Sequence, residues 1–396
     1  MIAEKDVFLD LSIDDSGYQF ATSISDALQQ AELELTELNE TVASIEKLKP
    51  ECDKLDYILS ASSGALCGVM DIFLVGKPSK SPLGNITDKW FENRTKDFAK
   101  LYGWKEKGDS SVSSAIRFLE KEFKIPYDQR GAGDAGSSID DLSPLNHHFK
   151  SLGHNPTLMG LFFSILDQFT NTSHFVSGGD LRPLQKASQD FQLRGDTVPS
   201  KLFYGFVNWF GHLMSDVSGA SGSTTRGMGI PSPFWSWTND VIAIKRTLHM
   251  EASEFDKRLN ELALEIYKQS YDVRFQTAQA IPVFVNELVV RLIYSVRRSI
   301  KYFKETVPSE RSFALMWKTC EPFTNATVKR MLTVAHGTFC LVDIGVATMR
   351  VFKDCGQFNA VEFVLRLNIV GVGRFAVSLY GEGNRVKRQH FSVQNL

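Results

Sequence analysis

Four stretches of this chain are each long enough to cross a bilayer, and each carries one charge, always an aspartate. They are Tyr57–Gly76 with Asp71, Pro156–Ser173 with Asp167, Leu202–Gly222 with Asp216, and Met331–Met349 with Asp343. A surface helix of a globular protein keeps charges along its outer face, and a single-pass anchor normally carries none. One acid among roughly twenty small or apolar residues fits neither pattern, and carboxylates within a membrane point to ion pathways. In Tyr57–Gly76 eight Leu, Ile, Val or Phe side chains favour insertion by roughly 0.3–0.6 kcal/mol each, while a mid-helix Asp costs about 2.5–3.5 kcal/mol. The two nearly cancel. Such a segment inserts only within an assembly that hides or hydrates its acid, which makes the four aspartates the candidate pore or gating residues.

Composition limits how much of the chain is membrane. Apolar residues make up 43% and charged residues 23%, ordinary values for a globular protein. The mean hydropathy of −0.14 leaves only a minority of the mass to insert. The net charge of −2 is uneven: residues 1–56 hold 14 acids and 4 bases, a balance of −10, so the remainder sums to +8. An acidic arm on a mildly basic body permits an anionic partner for the body. Cys52, Cys67, Cys320, Cys340 and Cys355 show no paired spacing, and the N-terminus lacks the basic and apolar regions of a secretory signal. The bulk of the chain is expected in the cytoplasm.

The expected fold is mainly α: a helical, membrane-associated protein with an N-terminal coiled-coil-like helix and Gly-rich loops. Ile24, Leu28, Ala31, Leu35, Leu38, Val42 and Ile45 alternate spacings of four and three, the seam of a helix that packs on helices of its own domain or of another subunit. Ser60, Gly64 and Gly68 at four-residue intervals let helix backbones approach closely. Arg130–Ser138 and Ser223–Phe234 are too rich in Gly or Pro for regular structure, and residues 175–199 form a polar loop or short hairpin. Three regions follow: an acidic one at 1–54, a central helical one with membrane-competent segments at 55–250, and a C-terminal helical one at 251–396.

The C-terminal region contains a helix expected from about Val283 to Glu305, after Pro282. It carries Arg291, Arg297, Arg298, Lys301 and Lys304 without an intervening acid. These five are the candidate anionic-ligand residues, with Tyr294, Tyr302 and Phe303 available for base stacking. A solvated face or a contact with lipid headgroups accounts for the same charges.

Patterns of catalysis are weak. His147, His148 and His154 lack the one-turn spacing of helical zinc ligands, and adjacent imidazoles on a helix point apart, so a structural polar turn is expected and no metal. Gly219, Gly222, Gly227 and Gly229 are not followed by the Gly-Lys-Ser/Thr of a phosphate loop. His212 and Asp216 stand one helical turn apart, but a pair is not a triad. Neither an enzymatic activity nor a cofactor is expected.

Several strings together resemble a family. They are Gly64-x3-Gly68-x2-Asp71-Ile-Phe-Leu-Val-Gly, His147-His-Phe-Lys-Ser-Leu-Gly-His, Gly160-Leu-Phe-Phe-Ser-Ile-Leu-Asp-Gln-Phe-Thr, His212-Leu-Met-Ser-Asp-Val-Ser-Gly-Ala-Ser-Gly-Ser, Arg226-Gly-Met-Gly-Ile-Pro-Ser-Pro and Leu365-Arg-Leu-Asn-Ile-Val-Gly-Val-Gly-Arg-Phe-Ala. Spread over residues 55–381, they resemble the channel-type effectors of the Hailong anti-phage defence system. The resemblance implies a homo-oligomeric channel, a tetramer, in the bacterial cell membrane. It further implies a channel held shut by a short single-stranded DNA oligomer that a partner nucleotidyltransferase makes. A second reading, from the residues alone, is a soluble helical binding or scaffold protein without catalytic activity, its aspartates serving as buried caps or ion-pair partners.

Overall fold

A computed structural model describes residues 24–78, 80–106, 111–126, 139, 141–185, 191–221 and 227–394. The chain is mainly helical. In order it forms α1 (Ile24–Leu48), α2 (Lys54–Met70) with a π-helical turn (Asp71–Val75), α3 (Pro82–Leu101), α4 (Val112–Glu122), α5 (His147–Lys150), α6 (Leu158–Thr170), β1 (Thr172–Ser177), β2 (Asp180–Gln185) and α7 (Val198–Asp216). Then follow α8 (Pro233–Thr247), α9 (Glu254–Lys268), α10 (Val273–Glu305), α11 (Phe313–Cys320), α12 (Ala326–Cys355), α13 (Ala360–Arg366) and α14 (Ile369–Gln394).

Two helical layers share the molecule. The first is a bundle of the long helices α2, α10, α12 and α14, with α2 against α12 its most extensive pair. Glycine creates that pairing: a Cβ at Gly64 would lie 2.0 Å from the Ala335 carbonyl oxygen, and one at Gly68 would lie 3.1 Å from Val342. The four-residue repeat of small side chains thus brings two backbones into contact, as the spacing predicts. The second layer holds α3, α4, α6, α7, α8, α9 and the antiparallel β1–β2 hairpin, which turns at Gly178 and Gly179. An apolar core of Val75, Phe149, Trp235, Tyr271, Phe275 and Leu365 joins the layers. The acidic, central and C-terminal regions therefore interleave: α2 packs within the C-terminal helices, and α1 leans on α14.

The apolar runs have different fates. Among the described residues three helices are long and apolar enough to cross a membrane: Lys54–Val75, Val273–Glu305 and Ala326–Cys355. The first and last contain the runs with Asp71 and Asp343. The run with Asp167 is shorter than expected, because α6 has 13 residues, about 20 Å against a hydrocarbon core of about 30 Å. Asn171, in the left-handed conformation, ends it, and the chain turns into β1. The run with Asp216 forms α7, whose last turns bury Gly211, His212, Leu213, Ser215 and Asp216 in the second layer. The third long helix is α10. It starts ten residues before Val283, at Val273, after Asp272, whose carboxylate caps the N–H groups of Arg274 and Phe275, and Pro282 sits inside it. Arg130–Ser138 and residues 222–226 lie outside the described residues.

Candidate functional site

Asp71 and Asp343, 272 residues apart in sequence, meet at one buried hub. The π-helical turn closes with Gly76 N–H donating to the Asp71 carbonyl at 2.9 Å and turns Asp71 inward. Such turns recur at functional sites. Asn368, fully buried between α13 and α14, is the shared partner. Its amide nitrogen Nδ2 donates to Asp71 Oδ1 at 2.5 Å and to the Gln279 carbonyl at 2.9 Å, and its backbone N–H donates to Asp343 Oδ2 at 2.8 Å. Its Oδ1 accepts from Gly371 N–H and starts α14. Gln279 in turn donates to the Leu367 carbonyl and accepts from Tyr271. One asparagine thus connects α2, α10, α12 and α14 through two acids. Within one protomer this hub is interior and does not line a surface.

The other two aspartates lie in the second layer. Asp167 accepts from the His174 N–H at 3.0 Å and from Thr172 Oγ1 at 3.1 Å, and its carboxylate faces His174 Nδ1 at 2.5 Å. Burial pushes its pKa up, and the His174 contacts oppose that. This carboxylate ties the end of α6 to the first strand.

Asp216 belongs to a buried nest of imidazoles. His147, His148 and His154 converge there, with His148 and His154 stacked at 4.3 Å between ring centroids and His154 edge-on to His212 at 4.9 Å. His212 Nε2 lies 3.2 Å and His148 Nε2 3.9 Å from Asp216 Oδ2. Neighbouring imidazoles were expected to diverge. They converge because α5 is a single turn, followed directly by a 3-10 turn at Leu152–His154 that folds His154 back. Burial and the adjacent imidazoles push the His154 pKa well below its usual value, and neither of its ring nitrogens has a hydrogen-bond partner. An unmet buried polar group costs about 1–3 kcal/mol.

The basic row on α10 is largely engaged within the molecule. Arg291 pairs with Glu287 and donates to the Pro322 carbonyl. Arg297 bonds Asp53 and Asp56. Arg298 bonds Asp56 and the Glu51 carbonyl while lying over the Tyr294 ring. Lys301 sits 4.0 Å from Glu305, and Lys304 is exposed. Tyr294 and Tyr302 are buried, so of the three proposed stacking rings only Phe303 is accessible, with Arg311 over it. The sequence offered no hint of a different basic surface. A groove of about 500 Å³ between α10, α12 and α14 is lined by Lys47, Arg291, Lys329, Arg374, Arg385 and Arg388, with Phe323 at its side. Part of that charge is balanced by Glu287 and Glu382.

The outer faces are apolar. On α10, Phe284, Leu288, Leu292, Val296, Ile300 and Phe303 form one exposed stripe about 28 Å long. Leu66, Val69 and Phe73 on α2 and Leu341, Ile344 and Phe352 on α12 are exposed as well. No protein-family model, no curated protein and no solved structure matches this chain.

Proposed function

We propose that this chain is a membrane-associated homo-oligomeric effector, an ion channel of anti-phage defence whose closed state is held by an oligonucleotide. The observation that carries this reading is the inverted polarity of the bundle. Asp56, Asp71, Asp343, Asn286, Asn368 and His336 turn inward, whereas Leu and Phe side chains face outward along α2, α10 and α12. The α10 stripe matches the thickness of a bilayer core, about 30 Å. Polar groups within a membrane need such internal partners, and the exposed stripes need lipid or neighbouring subunits. The bulk of the chain then lies on the cytoplasmic side of the bacterial cell membrane, and four copies surround the path.

In this reading Asp71 and Asp343 gate through the Asn368 hub, since a shift of any one of four helices breaks bonds to the other three. The anionic ligand is assigned to the Lys329–Arg388 groove, because Arg297 and Arg298 are held by Asp53 and Asp56, whereas the groove adds Lys47, Lys329 and Arg388 to the partly balanced Arg291, Arg374 and Arg385. A partner nucleotidyltransferase supplies the oligomer. Asp167 and Asp216 have no part in the ion path.

The experiment is fractionation of expressed protein followed by ion flux from liposomes. Recovery with membranes, flux from reconstituted protein, and its inhibition by short single-stranded DNA are expected. Full recovery in the cytosolic fraction as a stable oligomer sinks the channel and favours the scaffold reading, with the stripes as subunit contacts.

A further inference from the structure

The histidine nest plays no part in the channel reading, yet it assembles ligand chemistry. His154, His212 and Asp216 each offer one donor atom, and these atoms lie within 4.8 Å of one another. His148 approaches the same carboxylate from the other side, with Nε2 3.9 Å from Asp216 Oδ2. Its other nitrogen, Nδ1, lies 3.0 Å from the Gly229 carbonyl oxygen. A carbonyl accepts only, so the proton sits on Nδ1 and the Nε2 lone pair is directed into the nest.

Distances agree with a common ion. Two ligands about 2.1 Å from one metal lie about 3.4 Å apart at a tetrahedral angle and at most about 4.2 Å apart. The 3.2 Å separation of His212 Nε2 from Asp216 Oδ2 lies just below the tetrahedral value. His154 supplies the independent observation. It is buried, and among the described residues neither ring nitrogen has a hydrogen-bond partner.

We propose that His154, His212 and Asp216 bind one divalent transition-metal ion, with zinc the first candidate. Two imidazoles and one carboxylate form a borderline donor set that suits zinc and leaves a fourth position for water. All three side chains are at most 4% exposed, so the site is closed to bulk solvent. The ion fastens the turn at residues 147–154 to the end of α7. His148, stacked on His154 and held by Gly229, packs against the site from outside. His147, whose ring lies 5.0 Å from that of His154, closes the nest.

The test is metal analysis of the full chain, purified without a metal-affinity tag from zinc-supplemented cells. About one zinc per chain is expected, falling below about a tenth in His212→Ala and Asp216→Ala, while Asp167→Asn keeps its metal. Dialysis of wild-type protein against a chelator should lower its melting midpoint by about 5 °C or more, and one equivalent of Zn²⁺ should restore it. If the variants do not fold, the wild-type metal content and the reversible shift decide. Wild-type protein with less than about 0.1 ion per chain and no shift on adding Zn²⁺, Co²⁺ or Mn²⁺ overturns the proposal. So does full metal retention in folded variants.

Discussion

Replacing Gly64 by alanine adds one carbon where two helices already touch. The new Cβ would lie 2.0 Å from the Ala335 carbonyl oxygen, 2.9 Å from its carbonyl carbon and 3.1 Å from the Phe339 nitrogen. An ordinary C···O contact is about 3.3 Å, so α2 and α12 must separate by about 1.3 Å. Every neighbour is backbone, and no rotamer relieves the clash. A gap of 0.5–1 Å already forfeits roughly a quarter to a half of each dispersion contact along the pair. Overpacking of this kind costs up to about 3 kcal/mol, and the better helix propensity of alanine returns about 1 kcal/mol. The net loss is about 2 kcal/mol, or a fall of about 2–3 °C in melting midpoint for a chain of this length. Gly345→Ala is the matched control on α12, since among the described residues nothing lies within 4 Å of its added Cβ. It should raise the midpoint by about 1 °C through propensity alone. Thermal melts of purified protein followed by far-UV circular dichroism read both. If Gly64→Ala melts at or above wild type while Gly345→Ala behaves as stated, the two backbones do not meet there, and the packing argument fails.

Asp71→Asn keeps an acceptor for Asn368 and offers a donor to Asp343, so folded yield should be unchanged while liposome flux changes. Loss of the protein would make Asp71 purely structural. The double change Arg297→Ala, Arg298→Ala should cost about 3 kcal/mol, because it strands the buried Asp56 carboxylate, and a further Asp56→Asn should recover much of that. Unaltered denaturant midpoints in the double variant would show that these ion pairs carry little. Burial pushes Asp240 up to about 6 from 3.8, against the hydrogen bond from Thr157. Between those values the folded state binds more protons than the unfolded state, so this group makes stability fall as pH rises through about 4–6. Asp240→Asn should flatten that slope and, after discounting for partial exposure, add about 1 kcal/mol at pH 7. A slope as steep as wild type in urea melts across this window refutes the assignment.

What was legible in the sequence was local. The small-residue repeat at Ser60, Gly64 and Gly68 encodes a close helix contact because an absent Cβ is visible in one dimension. A polar loop or short hairpin was expected over residues 175–199, and the β1–β2 hairpin falls partly within them; the helix of α1 was announced by its four-three periodicity. Pro282 misled, because proline is an ordinary boundary signal, and only the cap at Asp272 and the packing around the proline keep α10 continuous. The lone aspartates stood out, but their partners did not. Asp71 and Asp343 meet through Asn368, and His154 meets His212, across stretches of chain that no periodicity connects. His212 and Asp216 at one-turn spacing, and the separate cluster of His147, His148 and His154, were the traces of the nest, and nothing in the sequence joined the two. The basic groove draws on four segments, of which α10 alone was read as a charge run.

The exposed seam of α1, with Leu28, Leu35, Leu38 and Val42 uncovered, sits on the most acidic part of the chain. Between Ile24 and Leu48 there are six acids and one lysine. Arms that join along this seam bring like charges together, and the repulsion opposes the apolar contact until counterions shorten its reach to about 10 Å at 0.1 M salt. Ionic strength then acts in opposite senses on the arm and on the groove beside it, which Lys47 of α1 helps to line. Added salt favours pairing of the arms and, in the proposed reading, loosens a polyanion from the groove, so ionic stress alone moves the balance toward an assembled, ligand-free state.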